Sequence, residues 1–170
     1  MRRVEALRAS RAGRLVVALG LCLLSTGASA SFTCAISTPG VSFGSYNVFA
    51  VSAVNSTGTL SVTCSLIPPS IDGNVSYVIS LSTGSSNSFL QRKMFSAANA
   101  LGYNLYTSNT YSVVWGDGTG STQTVSGTIK LNIFTNPSQT VMQTVYGQIP
   151  ALQDAAVGGY SDSVTATVSF

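Results

Sequence analysis

Alternation of apolar and polar side chains constrains the fold of this chain more than any other feature, and it is strictest in residues 163–170. One face of this segment carries Val164, Ala166, Val168 and Phe170. The other face carries Ser163, Thr165, Thr167 and Ser169. A repeat of two residues predicts a β-strand with one buried face. Because the sequence stops there, we expect the strand to suit partners that add a neighbouring strand or capture a carboxylate.

The same alternation recurs along the chain between turn residues. Its next clearest instance buries Val125, Gly127, Ile129, Leu131 and Ile133. Gly and Pro separate the segments, because Gly permits positive φ and Pro interrupts a strand ladder. The predicted strands are Phe32–Ser37, Gly58–Leu66, Val75–Ser82, Leu101–Thr107, Ser112–Trp115, Thr124–Phe134, Thr140–Ile149 and Ser163–Phe170. Phe89–Ala100 is ambiguous and could hold a short helix. Short strands with regular turns favour a single all-β sandwich domain.

The first thirty residues predict a secretory signal peptide. A run of arginines precedes the apolar segment Leu15–Leu24, and the small residues Ala28–Ala30 follow it. This order predicts cleavage before Ser31, which leaves residues 31–170 as the mature domain. The alternative is a membrane anchor, but the apolar segment is much shorter than the roughly 20 residues that span a bilayer.

Removal of the signal peptide changes the net charge from +3 to −1, since three cations and four carboxylates remain. They are Arg92, Lys93 and Lys130 against Asp72, Asp117, Asp154 and Asp162. No basic patch remains to neutralise a phosphate backbone, so the sequence argues against a nucleic-acid partner.

Two cysteines, Cys34 and Cys64, remain in the mature chain, since Cys22 lies in the signal peptide. A pair of cysteines in an exported protein predicts a disulfide, with two free thiols as the alternative. Alternation directs both side chains into the core, where their sulfurs could meet. The closed loop would then stabilise the fold by roughly 3 to 4 kcal/mol.

The mature chain offers little reactive chemistry. It has no histidine, the commonest general base and metal ligand, and its carboxylates are scattered. Asp117–Gly120 could suggest a calcium loop, but one carboxylate is too few, and we interpret it as a hairpin turn. We interpret Trp115 as a core residue rather than a ligand platform. The sequence therefore argues against an enzyme, a cofactor and a metal site.

Six segments together resemble one family. In order they are Phe43–Tyr46, Gly58–Cys64, Leu101–Thr107, Val114–Gly118, Val145–Pro150 and Gly159–Val164. The set is similar to the spore coat protein U domain, which is also the pilin of archaic chaperone–usher pili. This resemblance implies an immunoglobulin-like β-sandwich that lacks one strand and exposes an apolar groove.

The resemblance also implies partners and a location. A periplasmic chaperone would fill the groove first, and a neighbouring subunit's N-terminal arm would replace it at an outer-membrane usher. Val164, Ala166, Val168 and Phe170 would form one wall of the groove and the strand that the chaperone grips. The protein would pass through the periplasm to the cell surface, where it would form a pilus or a coat and serve adhesion and biofilm formation.

One departure from the family bears on position in the fibre. Polymerising subunits carry a donor arm before the first cysteine, whereas cleavage before Ser31 leaves only Ser31–Thr33 there. Three extended residues span about 10 Å, so we expect a subunit that accepts a strand but donates none, as at a fibre tip. The alternative is a coat protein that does not polymerise by this route. Ile67 and Ile71, beside two prolines, are candidates for an adhesive loop, unless they tuck beneath it.

A second class of function stays open. The chain could be a self-contained secreted module that binds carbohydrate or a surface through a closed sandwich. In that case an internal strand from Ser85–Ala100 would fill the groove.

Overall fold

The computed structural model describes residues 31–170, so the expected signal peptide lies outside the described residues. The described chain forms eight strands and a short 3-10 helix, Gly84–Ser86. The strands are β1 Phe32–Ser37, β2 Val54–Leu66, β3 Asp72–Leu81, β4 Arg92–Ser96, β5 Asn99–Tyr106, β6 Val125–Asn132, β7 Ser138–Ile149 and β8 Ala166–Ser169. Within residues 31–170, no helix is long and apolar enough to cross a membrane.

The strands form two antiparallel sheets. One has five strands in the order β1-β2-β7-β5-β4, and the other has three in the order β6-β3-β8. The core lies between them, because each long strand alternates buried apolar residues with exposed polar ones. Leu60 and Val62 from β2, Ile79 from β3 and Ile129 from β6 are almost completely buried there. The predicted all-β sandwich is confirmed.

A disulfide joins Cys34 and Cys64 across β1 and β2. The two cysteines are direct partners in the antiparallel register of these strands. Cys64 is fully buried and Cys34 packs against the core from a half-buried position. The disulfide expected from the sequence is therefore present.

A buried arginine organises the end of the core near β4. The side chain of Arg92 is 0% exposed. Its guanidinium donates to the carbonyl oxygens of Ser82 and Trp115, at 2.8 to 2.9 Å, and to Oδ1 of Asn104 at 2.7 Å. Burial lowers the pKa of Arg92 from its ordinary value. The arginine connects the ends of both sheets, a role that the ambiguous sequence around it does not indicate.

Several sequence expectations differ from the structure. Ser112–Trp115 is not a strand: Val114 and Trp115 make only single bridges, because the chain crosses here from one sheet to the other. Trp115 NH donates to the Leu105 carbonyl of the larger sheet, whereas the following carbonyl of Gly116 accepts from Leu81 of the smaller sheet. Trp115 itself is fully buried, as expected, and its indole donates to the Ile79 carbonyl at 3.0 Å.

Further differences concern strand bounds, the ambiguous segment and the last strand. β2 begins at Val54 rather than Gly58, and β6 ends at Asn132 rather than Phe134. Phe89–Ala100 contains β4 and the start of β5, rather than a helix. The last strand is shorter than predicted, with β8 restricted to Ala166–Ser169. Its ladder stops because Thr165 NH donates to the Ser82 hydroxyl at 2.9 Å instead of to a backbone carbonyl.

Candidate functional site

The two sheets each end in a strand with a free edge. Among the described strands, β1 pairs only with β2, and β8 pairs only with β3. The ring of Phe32, at the start of β1, lies 6.1 Å from the ring of Phe170, with the planes at 67°. This contact places both free edges on the same side of the sandwich. A free edge presents unpaired NH and carbonyl groups, so it can bind another strand.

The hydrogen-bond pattern of β8 shows which backbone groups are free. Ser82 NH donates to the Thr165 carbonyl at 2.9 Å, so Thr165 faces β3. In an antiparallel ladder alternate residues face alternate neighbours, so Thr167 also faces β3, opposite its register partner Ser80. The backbone groups of Ala166 and Val168 therefore point away from β3, towards the free edge.

The same pattern holds on β1. Ile67 NH donates to the Ser31 carbonyl at 2.9 Å, so alternate residues from Ser31 onward face β2. The backbone groups of Phe32, Cys34 and Ile36 consequently point to the free edge. On both edges, the residues whose side chains lie on the inner face are the ones with unpaired backbone groups.

An apolar groove of about 990 Å³ opens between the sheets beside β8. Its floor consists of core residues, namely Leu60, Leu81, Met94, Leu101, Leu105 and Val145. Val164 and Ala166 line it from the β8 side, whereas Val168 and Phe170 do not line it. Val168 packs against the core, and Phe170, 53% exposed, contacts Phe32. Of the four predicted groove residues, Val164 and Ala166 therefore line the groove. Val168 and Phe170 lie beyond it, where Phe170 contacts Phe32 of the other sheet.

The irregular segment between β1 and β2, residues 38–48, covers part of the groove floor. Its Phe43 packs over Gly147 of β7, where an added Cβ would lie 2.7 Å from the Phe43 ring. The Phe43 ring also meets the Tyr103 ring edge-on at 5.7 Å. Sequence reasoning missed this contact, although glycine within a strand is a signal that another part of the chain approaches closely.

A polar cluster borders the groove next to β8. The hydroxyl of Tyr103 donates to Oδ2 of Asp162 at 2.7 Å, and the NH groups of Ser85 and Ser163 donate to Oδ1 at 2.8 to 2.9 Å. Partial burial alone would raise the pKa of Asp162, but these hydrogen bonds outweigh it and lower the pKa. Burial, together with the bond to Asp162, raises the pKa of Tyr103. The carboxylate of Asp162 therefore connects the segment before β8 to Tyr103 of β5 and to the 3-10 helix at Ser85.

Both ends of the sandwich expose apolar loop residues. At the end where β2 finishes, Ile67 is 43% and Ile71 60% exposed, and Phe134 nearby is 84% exposed. Ile133 NH donates to the Ile71 carbonyl at 2.8 Å, which brings the two loops together. At the opposite end the exposed apolar residues are Phe49, Val51, Leu152 and Val157. Sequence reasoning placed Phe134 in a strand and missed its exposure.

The structure gives no support for a metal centre in residues 31–170, where no three metal-ligating side chains cluster. Asp117, the centre of the possible calcium loop, accepts hydrogen bonds from the NH and the hydroxyl of Thr119 at 2.9 and 2.6 Å. These bonds lower the pKa of Asp117 and define a local turn.

The model of the Spore Coat Protein U domain matches residues 21–167. The chain belongs to the spore coat protein U domain family. The resemblance read from the six sequence segments is therefore confirmed, and the match includes both cysteines of the disulfide and the first half of β8.

A similar solved structure is the chaperone–tip adhesion subunit pre-assembly complex from the archaic chaperone-usher Csu pili of Acinetobacter baumannii. The two structures superpose with a TM-score of 0.48 at 23% sequence identity. The matched region covers 82% of the chain described here and 40% of the chain in the solved structure. This chain thus spans less than half of that one. The comparison with curated proteins gives no match.

Proposed function

We propose that this protein is an exported subunit of a chaperone–usher pilus or related surface coat, and that it accepts a strand from a partner. The observation that carries the proposal is the apolar groove beside the free edge of β8, where backbone groups are unpaired. Membership of the spore coat protein U family supports it, since the resemblance to this family implies a pilin domain.

The proposed mechanism is strand addition. An extended segment beside β8 would hydrogen-bond to the backbone of Ala166 and Val168, and its alternate apolar side chains would enter the groove. The backbone bonds would give affinity, and the fit of side chains to the groove would give selectivity. The first such segment would come from a periplasmic chaperone and the second from a neighbouring subunit, with the exchange at an outer-membrane usher.

A chaperone is needed for a physical reason. The free edges and the groove floor together present unpaired backbone groups and apolar surface, which promote edge-to-edge aggregation. A subunit in transit through the periplasm would therefore be protected only while another strand covers them.

We further propose a terminal position in the fibre. With cleavage before Ser31, the residues ahead of Cys34 would be Ser31–Thr33 alone. In the structure these residues already pair with the end of β2 and the loop after it, since Ser31 also donates to the Ser70 hydroxyl at 2.8 Å. They therefore leave no arm to insert into a neighbour, and N-terminal sequencing of the exported protein tests this part.

A terminal subunit would contact surfaces, and the loop end with Ile67, Ile71 and Phe134 supports an adhesive role. Exposed apolar side chains on adjacent loops can be buried against an apolar surface. Replacement of Ile71 and Phe134 by Asp should reduce attachment of cells to polystyrene, whereas the amount of assembled protein on the cells should not change.

The closed-sandwich alternative receives little support from the fold. It requires an internal strand from Ser85–Ala100 in the groove, but β4 pairs with β5 at the far edge of the five-stranded sheet. Segment 38–48 covers part of the groove without forming a strand ladder.

Co-expression with a candidate chaperone from the same gene cluster tests the proposal. Ala166→Arg should place a charged side chain in the groove and abolish co-purification with the chaperone. Thr167→Arg is the matched control, because Thr167 is exposed on the opposite face of β8. Circular dichroism of both variants checks that they fold. Equal co-purification of both variants with the chaperone would overturn the proposed strand-addition site.

A further inference from the structure

The seven tyrosines of the chain fall into two sets according to what their hydroxyls bind. Four make hydrogen bonds that fix the fold, namely Tyr46, Tyr77, Tyr103 and Tyr160. In residues 31–170, the hydroxyls of the other three find no hydrogen-bond partner. These three, Tyr106, Tyr111 and Tyr146, lie together, and we call them the tyrosine cluster.

The tyrosine cluster lies on the outer face of the five-stranded sheet, far from the groove floor. Tyr106 of β5 and Tyr146 of β7 are direct register partners, so their side chains lie side by side. The Tyr111 ring meets the Tyr106 ring edge-on, with centroids 5.6 Å apart and planes at 90°. All three residues are half-buried, so part of each ring or hydroxyl remains open to a ligand.

The backbone at Tyr111 is strained. Its φ is 52°, in the left-handed region that bulky residues seldom adopt. The loop holds this conformation through hydrogen bonds from Thr107 NH to the Val113 carbonyl, at 3.1 Å, and from Tyr111 NH to the Ser108 carbonyl, at 3.2 Å. Strained residues that a loop holds in place concentrate at binding sites. The strain here brings the third ring onto Tyr106.

Polar side chains beside the tyrosine cluster complete a neutral surface. Gln148, two residues after Tyr146, donates from its amide to Oδ1 of Asn55 at 2.9 Å. Thr57 is the register partner of Tyr146 and is exposed. The three strands that carry these residues, β2, β5 and β7, contain no charged residue. The exposed Lys93 of β4 lies beside Gly102, four residues before Tyr106 on β5. The part of the face that β2, β5 and β7 form therefore offers aromatic rings, hydroxyls and amides, and these three strands supply no charge to pair with an ionic ligand.

We propose that the tyrosine cluster, with Asn55, Thr57 and Gln148, binds a neutral polysaccharide. The C–H faces of a sugar ring pack on aromatic rings, and its hydroxyls exchange hydrogen bonds with phenols and amides. The absence of charge on β2, β5 and β7 argues against an anionic polymer, which would need cationic partners. This site is separate from strand addition and would give the exported protein a glycan contact.

Affinity electrophoresis of the full chain, recovered from the periplasm of an expression host, tests the proposal. The gels would contain laminarin, hydroxyethylcellulose, galactomannan or dextran, with alginate and heparin as charged comparators. At least one neutral polymer should retard the protein. Tyr111→Ala and Tyr146→Ala should each weaken that retardation by about tenfold, since each removes one stacking ring.

Two control variants separate the loss of a stacking ring from other effects of substitution on this face. Met142→Ala changes an exposed apolar residue on the same face of β7, four residues before Tyr146, and should leave retardation unchanged. Tyr146→Phe keeps the ring and should retain most of the binding even if the alanine variant folds poorly. Retardation by none of the neutral polymers, by charged polymers alone, or equally in all variants would overturn the proposal. Binding of an apolar resin alone, lost in the tyrosine variants, would overturn it as well.

Discussion

The ring of Phe32, which opens β1, meets the ring of Phe170, the last residue of the sequence, edge-on at 6.1 Å. The contact joins the free edges of the two sheets at one end of the sandwich. At the other end of the same edges, Val164 and Ala166 line an open groove. The gap between the sheets is therefore narrow at one end and open at the other.

Phe170→Ala should lower the free energy of unfolding by about 1 kcal/mol, because it removes an aromatic pair. The measurement is urea denaturation followed by Trp115 fluorescence. Phe134→Ala is the control, since its ring is 84% exposed and has no ring partner among the described residues. An equal effect of both substitutions would show that the Phe32–Phe170 contact does not join the edges in solution.

Gly147→Ala should destabilise the fold by roughly 1 to 3 kcal/mol, because its Cβ would overlap the Phe43 ring. Gly159→Ala should be close to neutral, as no atom lies within 4 Å of its added Cβ. Combination of Gly147→Ala with Phe43→Ala should cost less than the sum of the two single changes, since the second removes the overlap. Strict additivity in thermal or urea unfolding would contradict the packing of Phe43 on Gly147.

Arg92→Lys should cost roughly 2 to 4 kcal/mol of unfolding free energy, although charge is conserved. A single ammonium group cannot replace a planar guanidinium that reaches Asn104 and two separate carbonyl oxygens. Lys93→Arg is the neighbouring control on the exposed side of β4 and should be neutral. A stable Arg92→Lys variant would mean that the guanidinium hydrogen bonds do not hold the ends of the sheets.

The hydrogen bonds to Asp162 predict that the free energy of unfolding depends on pH. Partial burial opposes its charge, but hydrogen bonds from Ser85, Tyr103 and Ser163 lower the pKa of Asp162 in the folded state. The stability from this lowered pKa is complete above the unfolded-state pKa, near 4, and is lost as pH falls through the folded-state value. Urea denaturation between pH 7 and pH 2 should show this loss.

Asp162→Asn should be less stable than the original protein at pH 7, by about 1 to 2 kcal/mol. It should also lose less stability on acidification, because it has no carboxylate to protonate. Asp154→Asn is the control, since Asp154 is exposed and makes no side-chain hydrogen bond within residues 31–170. Identical acid profiles of the original protein and Asp162→Asn would refute the assigned hydrogen bonds.

The sequence predicts the parts of this fold that depend on local alternation. It identifies both faces of β6 and β8, because a strand with one buried face shows its period in every residue. It also predicts the disulfide, because Cys34 and Cys64 are the one pair of cysteines left after the expected signal peptide. Through the family resemblance it names Val164 and Ala166 as groove residues, and both line the cavity between the sheets, while their part in binding a strand stays a prediction.

Features that depend on distant contacts escaped prediction. Ser112–Trp115 has the composition of a strand, but it crosses between sheets and pairs with neither for more than a single bridge. Phe43 reaches Gly147 across more than one hundred residues of sequence. The tyrosine cluster forms only once β5 and β7 are in register, so no spacing along the chain could indicate it.

The central claim, that β8 accepts a strand, is tested most directly by amide hydrogen exchange at single residues. The protein would be measured alone and with a peptide of alternating apolar residues taken from a neighbouring subunit's arm. The amides of Ala166 and Val168 point to the free edge and should become at least tenfold more protected when the peptide binds. The amide of Thr167 already faces β3 and should change little. Peptide binding that protects none of these amides, or protects Thr167 more than its neighbours, would contradict the account.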